Sequence, residues 1–232
     1  MVTEAVKGHV VKWPAGLHPV DQAGTWFKMP LYQWQIDVLN AAAEPYSRVV
    51  VSTNNESGKT SCVGPIFILS AMMAFPGARC FATSGSEEQI RAQFFETNLL
   101  PIIRPLQAYG WKVWTGDSGR VLAPNGSTLL CYVCKDANKA EGFHAGWNSA
   151  TGLYEPCVYL SDESKEVKDG IHEAIRRINP TFFLGMSSPG ENNWFSRGIN
   201  QEQLKVIVEQ RGGEDTPQRL RYKALAEKIL ED

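Results

Sequence analysis

No run of this chain is apolar for long enough to cross a bilayer, which takes about 20 such residues, so a membrane-spanning helix is not expected. Charge of one sign is also lacking. The 23 basic and 25 acidic residues leave a net charge of −2, which argues against a protein that coats nucleic acid by bulk positive charge but is compatible with a local basic patch. Metal-ligand spacing is missing too. The four histidines (His9, His18, His144, His172) show none, and the five cysteines are scattered. Cys131 and Cys134 have CxxC spacing, but they fall in the strand-like run Thr128–Val133, where they would point to opposite faces. With no second pair to complete a zinc site, all five cysteines are expected to be core thiols. There are no internal repeats and no low-complexity segments. The start, Met1–Lys7, has no signal-peptide core, so a cytoplasmic location is expected.

What is present suits an α/β domain: 232 residues, 43% of them hydrophobic, enough for a substantial core. Residues 1–29, rich in Gly, Pro and Trp, read as an N-terminal arm without periodicity. Residues 30–210 read as the main domain and 211–232 as a charged C-terminal helix or linker. A helix opened by Pro30 should span Leu31–Glu44, followed by a strand at Arg48–Ser52 and an apolar helix at Val63–Met73. A second strand, Ala78–Thr83, precedes the capping box Ser86-Glu-Glu-Gln89 and a helix reaching Asn98, after which Pro101 and Pro105 punctuate the chain. Lys112–Val133 reads as short strands turned at Asn125-Gly126. Strands at Cys157–Ser161 and Thr181–Met186 flank a helix at Lys168–Ile178. Alternating strands and helices imply a mostly parallel sheet, with ligands at the carboxyl ends of its strands.

Three polar clusters lie at such ends. The first, Ser52-Thr-Asn-Asn-Glu-Ser-Gly-Lys-Thr-Ser61, reads as a phosphate-binding loop in which Thr53 stands where the first glycine of the pattern belongs. Gly58 would let the backbone approach a phosphate. Lys59 would reach the β- and γ-phosphates, and Thr60 would ligate Mg²⁺. The backbone donors of Asn54, Asn55, Glu56, Ser57 and Ser61 complete the nucleotide-binding set. The second cluster, Asp162-Glu163, would hold magnesium through Asp162 and activate water through Glu163. The third is Ser187-Ser188-Pro189, by itself no more than a turn signal.

Taken in order, Gln35, the loop, Asp162-Glu163 and Ser187-Ser188-Pro189 make the chain similar to the large terminase subunit of tailed bacteriophages over about Pro30 to Pro189. Leu31-Tyr-Gln-Trp-Gln35 resembles that family's adenine-reading segment, Ser52–Thr60 its Walker A loop, and Ala140-Glu-Gly-Phe-His-Ala145 the segment before Walker B. Ser187-Ser188-Pro189 resembles its coupling motif. The resemblance implies a three-layer P-loop NTPase of RecA/ASCE type with a β-hairpin. It implies ATP and Mg²⁺ as cofactors and ATP hydrolysis driving double-stranded DNA into a prohead. The implied partners are DNA, a portal protein, a small terminase subunit and further copies of the chain in a ring, with no membrane, in the cytoplasm of an infected host.

Two departures qualify this likeness. Many terminases carry an arginine inside the phosphate loop, where this chain has Asn54-Asn55-Glu56. Arg91, Arg104, Arg176, Arg177 or an arginine from a neighbouring subunit would have to supply that charge. Nor do the residues after Pro189 offer an acidic cluster for the family's C-terminal nuclease, so no DNA cleavage is expected. A helicase-like remodeller, a phosphate-loop kinase and a nucleotide-binding module with vestigial hydrolysis remain alternatives. Lys135, Lys139 and Arg176-Arg177 carry no assignable DNA contact.

Overall fold

The computed structural model describes residues 11–54, 57–116, 118–133 and 144–188. Helices α1 (Pro19–Thr25) and α2 (Gln33–Ala43) precede strand β1 (Arg48–Ser52). One π-helical turn, Lys59–Val63, then runs directly into α3 (Gly64–Ala74). Strand β2 (Arg79–Thr83) leads to a second π-type helix, Glu88–Leu99, continued by α4 (Leu100–Ile103) and a 3-10 segment, Arg104–Tyr109. Then come β3 (Lys112–Trp114), β4 (Gly119–Leu122), β5 (Thr128–Tyr132), β6 (Gly146–Asn148), β7 (Leu153–Glu155), β8 (Cys157–Ser161), α5 (Asp169–Ile178) and β9 (Phe182–Ser187).

Seven strands form one sheet in the order β1-β9-β8-β2-β5-β4-β3. Pairing is parallel from β1 to β5 and antiparallel from β5 through β4 to β3, an antiparallel margin common on parallel sheets. Both faces are covered, which explains the unbroken apolar runs: every residue of β8 and β9 is buried. On one face lie α3, α2 and the Glu88–Leu99 helix, joined in a core that includes Ile66, Phe67, Phe94, Phe95, Leu160 and Met186. The other face packs Phe81, Tyr159 and Phe183 against Ile171, Ala174 and Ile175 of α5. The result is a three-layer α/β fold.

The strand expectations hold nearly to the residue, and the helices depart in instructive ways. Residues 1–29 contain α1, capped by the His18 side chain, and Trp13 donates from Nε1 to the Ala43 carbonyl (2.8 Å) while its ring packs edge-on against Phe75. Pro101 and Pro105 do not interrupt the chain. Each sits in the first turn of a new helical segment, where the missing N–H has no intrahelical partner to lose. Asn125-Gly126 turns a five-residue connection rather than a two-residue hairpin. Gly126 has φ +84°, and the Asn125 side chain donates to the Met72 carbonyl (2.8 Å), fastening the turn to the end of α3. The small β6–β7 hairpin had no clear sequence signal; the Asn148 side chain closes it through Glu155 and the amides of Ala150 and Thr151.

Candidate nucleotide site

Topology brings the polar clusters together. Strand β9 lies between β1 and β8, with Ser52 level with Ser187 and Ser161 level with Gly185. The loop after β1, the Asp162-Glu163 pair after β8 and the serines ending β9 therefore meet at one edge of the sheet. Adjacent strands are about 4.8 Å apart, within reach of side chains from all three.

The absent first glycine is compensated locally. Thr53 is buried, and its N–H extends the sheet ladder to the Ser187 carbonyl (3.1 Å). Its hydroxyl makes a close hydrogen bond with Ser57 Oγ across the base of the loop. Gly58, by contrast, is required: its φ is +87°, and a Cβ there would sit 2.8 Å from Gln35 Nε2. From Gly58 the chain enters the π-helical turn, whose first amides have no partner within the helix and carry the positive end of its dipole.

Lys59 is 5% exposed and donates from Nζ to the carbonyls of Asn54 (3.0 Å) and Thr53 (3.5 Å). Burial lowers its pKa, Lys165 adds to the lowering, and Glu163 and Asp162 act against both. Thr60 donates from Oγ1 to both carboxylate oxygens of Asp162, at 3.0 and 3.2 Å. Asp162 is 2% exposed, and burial raises its carboxyl to about 6, with the nearby Glu163 adding to the rise and the Thr60 hydrogen bond opposing it. Glu163 adopts a left-handed backbone, φ +46° and ψ +49°, which costs a non-glycine residue about 1–2 kcal/mol. The turn redirects the chain after β8, and Ser187 donates from Oγ to Glu163 Oε2 (3.1 Å). Strain of this kind collects at functional sites.

A cleft of about 160 Å³ opens over the loop, lined by Ser57, Gly58, Lys59, Thr60, Ser61, Asn98 and Glu163. Asn98 was not anticipated. It comes from the π-type helix, and nothing in the sequence signals the winding that brings it there. Gln35 is 2% exposed and committed to the loop: Oε1 accepts from the Tyr32 amide (2.9 Å), and Nε2 donates to the Ser57 carbonyl (3.2 Å). It joins α2 to the phosphate loop, and one N–H of its amide remains beyond that bond. None of the four arginine candidates lines the cleft. Arg91 pairs with Glu87 and Glu96, Arg176 pairs with Glu173, and Arg104 and Arg177 are exposed. Asn55, Glu56, Pro189, Cys134, Lys135, Lys139, residues 140–143 and residues 190–232 lie outside the described residues. Three of the four described cysteines (Cys80, Cys131, Cys157) are buried, and burial pushes Cys157 up to about 12.

No protein-family model and no curated protein sequence matches this chain. Solved structures do. The large terminase ATPase domain of Thermus phage P74-26 superposes with a TM-score of 0.53 at 15% identity, over 85% of this chain and 78% of that one. The large terminase of bacteriophage HK97 gives 0.55 at 16% identity, over 79% of this chain and 38% of that one. Its fold is that of the large-terminase ATPase domain. This terminase-like chain thus spans about two fifths of the HK97 large terminase. The likeness in sequence is slight, so the fold is what the two structures share. Among the described residues, no helix is long and apolar enough to cross a membrane.

Proposed function

We propose that this domain hydrolyses ATP in the cleft above β1, β9 and β8, and that hydrolysis drives double-stranded DNA into a viral prohead. The observation that carries the reading is the meeting of Lys59, the Thr60–Asp162 pair and Ser187-held Glu163 around one small cleft. The amides from Gly58 onward and the Lys59 ammonium receive the β- and γ-phosphates. Thr60 and Asp162 fit a divalent cation: a hydroxyl and a carboxylate form a hard oxygen pair, and the buried carboxylate is poised to ionise against one. Bound there, Mg²⁺ would neutralise charge on the phosphate oxygens.

Glu163 aligns a water with the γ-phosphorus and accepts its proton as the new P–O bond forms. The bond between the γ-phosphorus and its bridging oxygen breaks, and the electron pair leaves with ADP. Ser187 fixes the Glu163 carboxylate, so a change at the γ-phosphate is felt at the end of β9, as a coupling motif requires. Among the described residues no arginine lines the cleft, which supports supply of the missing cation from outside the loop, and in a ring an arginine of the adjacent copy can do this. DNA, a portal protein, a small terminase subunit and a ring of identical copies, in the cytoplasm of an infected host, complete the reading.

Phosphate release from ATP by wild type, Lys59→Ala and Glu163→Gln, with and without double-stranded DNA, tests it. Turnover in wild type alone, stimulated by DNA and rising with protein concentration, is the expected result. Tight ATP binding without turnover under any condition would reduce the protein to a nucleotide-binding module.

A further inference from the structure

Beyond Lys59, a second lysine stands at the phosphate end of the sheet. The left-handed turn at Glu163 opens a short 3-10 segment, Ser164–Glu166, anchored by a hydrogen bond from Ser164 Oγ to the Ser161 carbonyl (2.7 Å). That turn carries Lys165 back over the sheet, where its Nζ donates to Ser188 Oγ at 2.7 Å. Ser188 follows the last residue of β9, and β9 lies between the phosphate-loop strand and β8. Lys59 Nζ sits on the Thr53 carbonyl, and the Thr53 amide is itself bonded to Ser187. The two ammonium groups thus cap neighbouring strand ends, about one or two strand spacings apart.

Two cations at neighbouring strand ends attract an anion jointly. A triphosphate bound on the Lys59 amides would extend its terminal phosphate toward Glu163 and the end of β9. We infer that Lys165 is a phosphate-binding residue specific for the terminal phosphate, exchanging Ser188 for a γ-oxygen when a nucleoside triphosphate binds. It provides in cis a positive charge that the phosphate loop, with Asn54 and its neighbours in place of an arginine, does not. The exchange also releases Ser188, next to the Ser187 that holds Glu163. The end of β9 then registers whether the third phosphate is present. This inference rests on the reading of the cleft as a nucleoside triphosphate site.

Equilibrium binding separates the two. Fluorescent analogues of ADP and of a non-hydrolysable ATP are titrated with Mg²⁺ against wild type, Lys165→Ala, Lys165→Arg and the surface control Lys168→Ala, each checked for an unchanged thermal midpoint. Lys165→Ala should weaken the triphosphate at least tenfold and the diphosphate less than twofold. Lys165→Arg should recover most of the loss, and Lys168→Ala should change neither. If Lys165→Ala leaves the ratio of triphosphate to diphosphate affinity at the wild-type value, the assignment of Lys165 is wrong while the site stands. Failure of wild type to bind either analogue overturns the site itself, and the Lys165 assignment with it.

Discussion

Removing the charge of Asp162 should stabilise the nucleotide-free protein even as it disables the site. Its carboxyl is raised from 3.8 to about 6, chiefly by burial. At about 1.4 kcal/mol per unit, ionising it costs the folded protein up to about 3 kcal/mol. The sign follows from linkage. A carboxyl with a raised folded-state pKa stabilises the fold fully below pH 3.8, and that stabilisation is lost as pH rises through 6. At pH 7.5 the wild type therefore bears the whole penalty. Asp162→Asn removes the charge and keeps an oxygen to accept from Thr60, but its new amide group needs a partner of its own, which returns about 1 kcal/mol.

A net gain of about 2 kcal/mol is expected at pH 7.5, or about 4–8 °C in melting midpoint for a domain of this size. Thermal unfolding in EDTA without nucleotide measures it. At pH 4.5 the wild-type carboxyl is itself protonated, so the gain should shrink toward zero. A variant less stable than wild type at pH 7.5, or equally stabilised at both pH values, would refute the reasoning. In the first case Asp162 is held by its hydrogen bonds more than it is penalised by burial. In the second the gain has nothing to do with charge.

His172 supplies a counter-trend over the same pH window. Burial lowers its pKa from 6.5 to about 4, with Arg48 and Arg176 adding to the drop and Glu173 and Asp169 opposing it. Stability is lost as pH falls from 6.5 toward 4, because the unfolded chain takes up a proton that the folded one refuses. The ring is partly exposed, so the loss is discounted to about 1–2 kcal/mol. His172→Gln should flatten it in urea unfolding at pH 4.5 against pH 7, and an unchanged slope would count against it. At Gly85, a Cβ would collide with Glu166 Cβ and crowd its backbone at 3.1 Å, and Glu166 is hydrogen-bonded to the Glu163 carbonyl (2.9 Å). Gly85→Ala should displace that turn and lower kcat for ATP at least tenfold, since small misplacements of a reacting group are costly. Triphosphate affinity should fall as well, because the displaced turn carries Lys165, and a kcat within twofold of wild type would dismiss the coupling.

How legible the molecule was depends on where each feature gets its energy. Strands β8 and β9 were readable because burial on both faces forces continuous apolar runs that end at polar residues, as in Val158-Tyr-Leu-Ser161, and the partly buried edge strand β1 keeps the run Val49-Val-Val-Ser52. The meeting of the three polar clusters followed because they sit at those ends. The winding of Glu88–Leu99 was not readable. An i→i+5 helix differs from an α-helix by a small shift that packing against the sheet decides, and Asn98 of this helix lines the cleft. Lys165 was hidden for the same reason: only the left-handed backbone at Glu163 turns it toward β9. Gln35 was expected to read adenine, whereas the structure bonds it to Tyr32 and Ser57, a contact that depends on how α2 docks against the loop. The pairing of Arg91 with two glutamates likewise appears only once the helix is built.

The charged groups of the site are held apart rather than paired with one another. Lys59 and Glu163 line one small cleft and Asp162 is bonded to Thr60 of the same lining, yet among the described residues no salt bridge joins the lysine to either carboxylate. A direct pair would satisfy both charges and leave the site inert to a ligand. Instead the lysine is held by carbonyls of its own loop, Asp162 by a neutral hydroxyl, and Glu163 by another. Each charge is thus held by neutral groups rather than by an opposite charge. Such preorganisation leaves folding to bear the cost of desolvation, so that little reorganisation remains when the ligand arrives. The consequence is measurable in the same unfolding experiment: a ligand bringing both a triphosphate and a divalent cation should raise the midpoint of wild type. It should do so far less for Asp162→Asn, although that variant starts from the more stable fold.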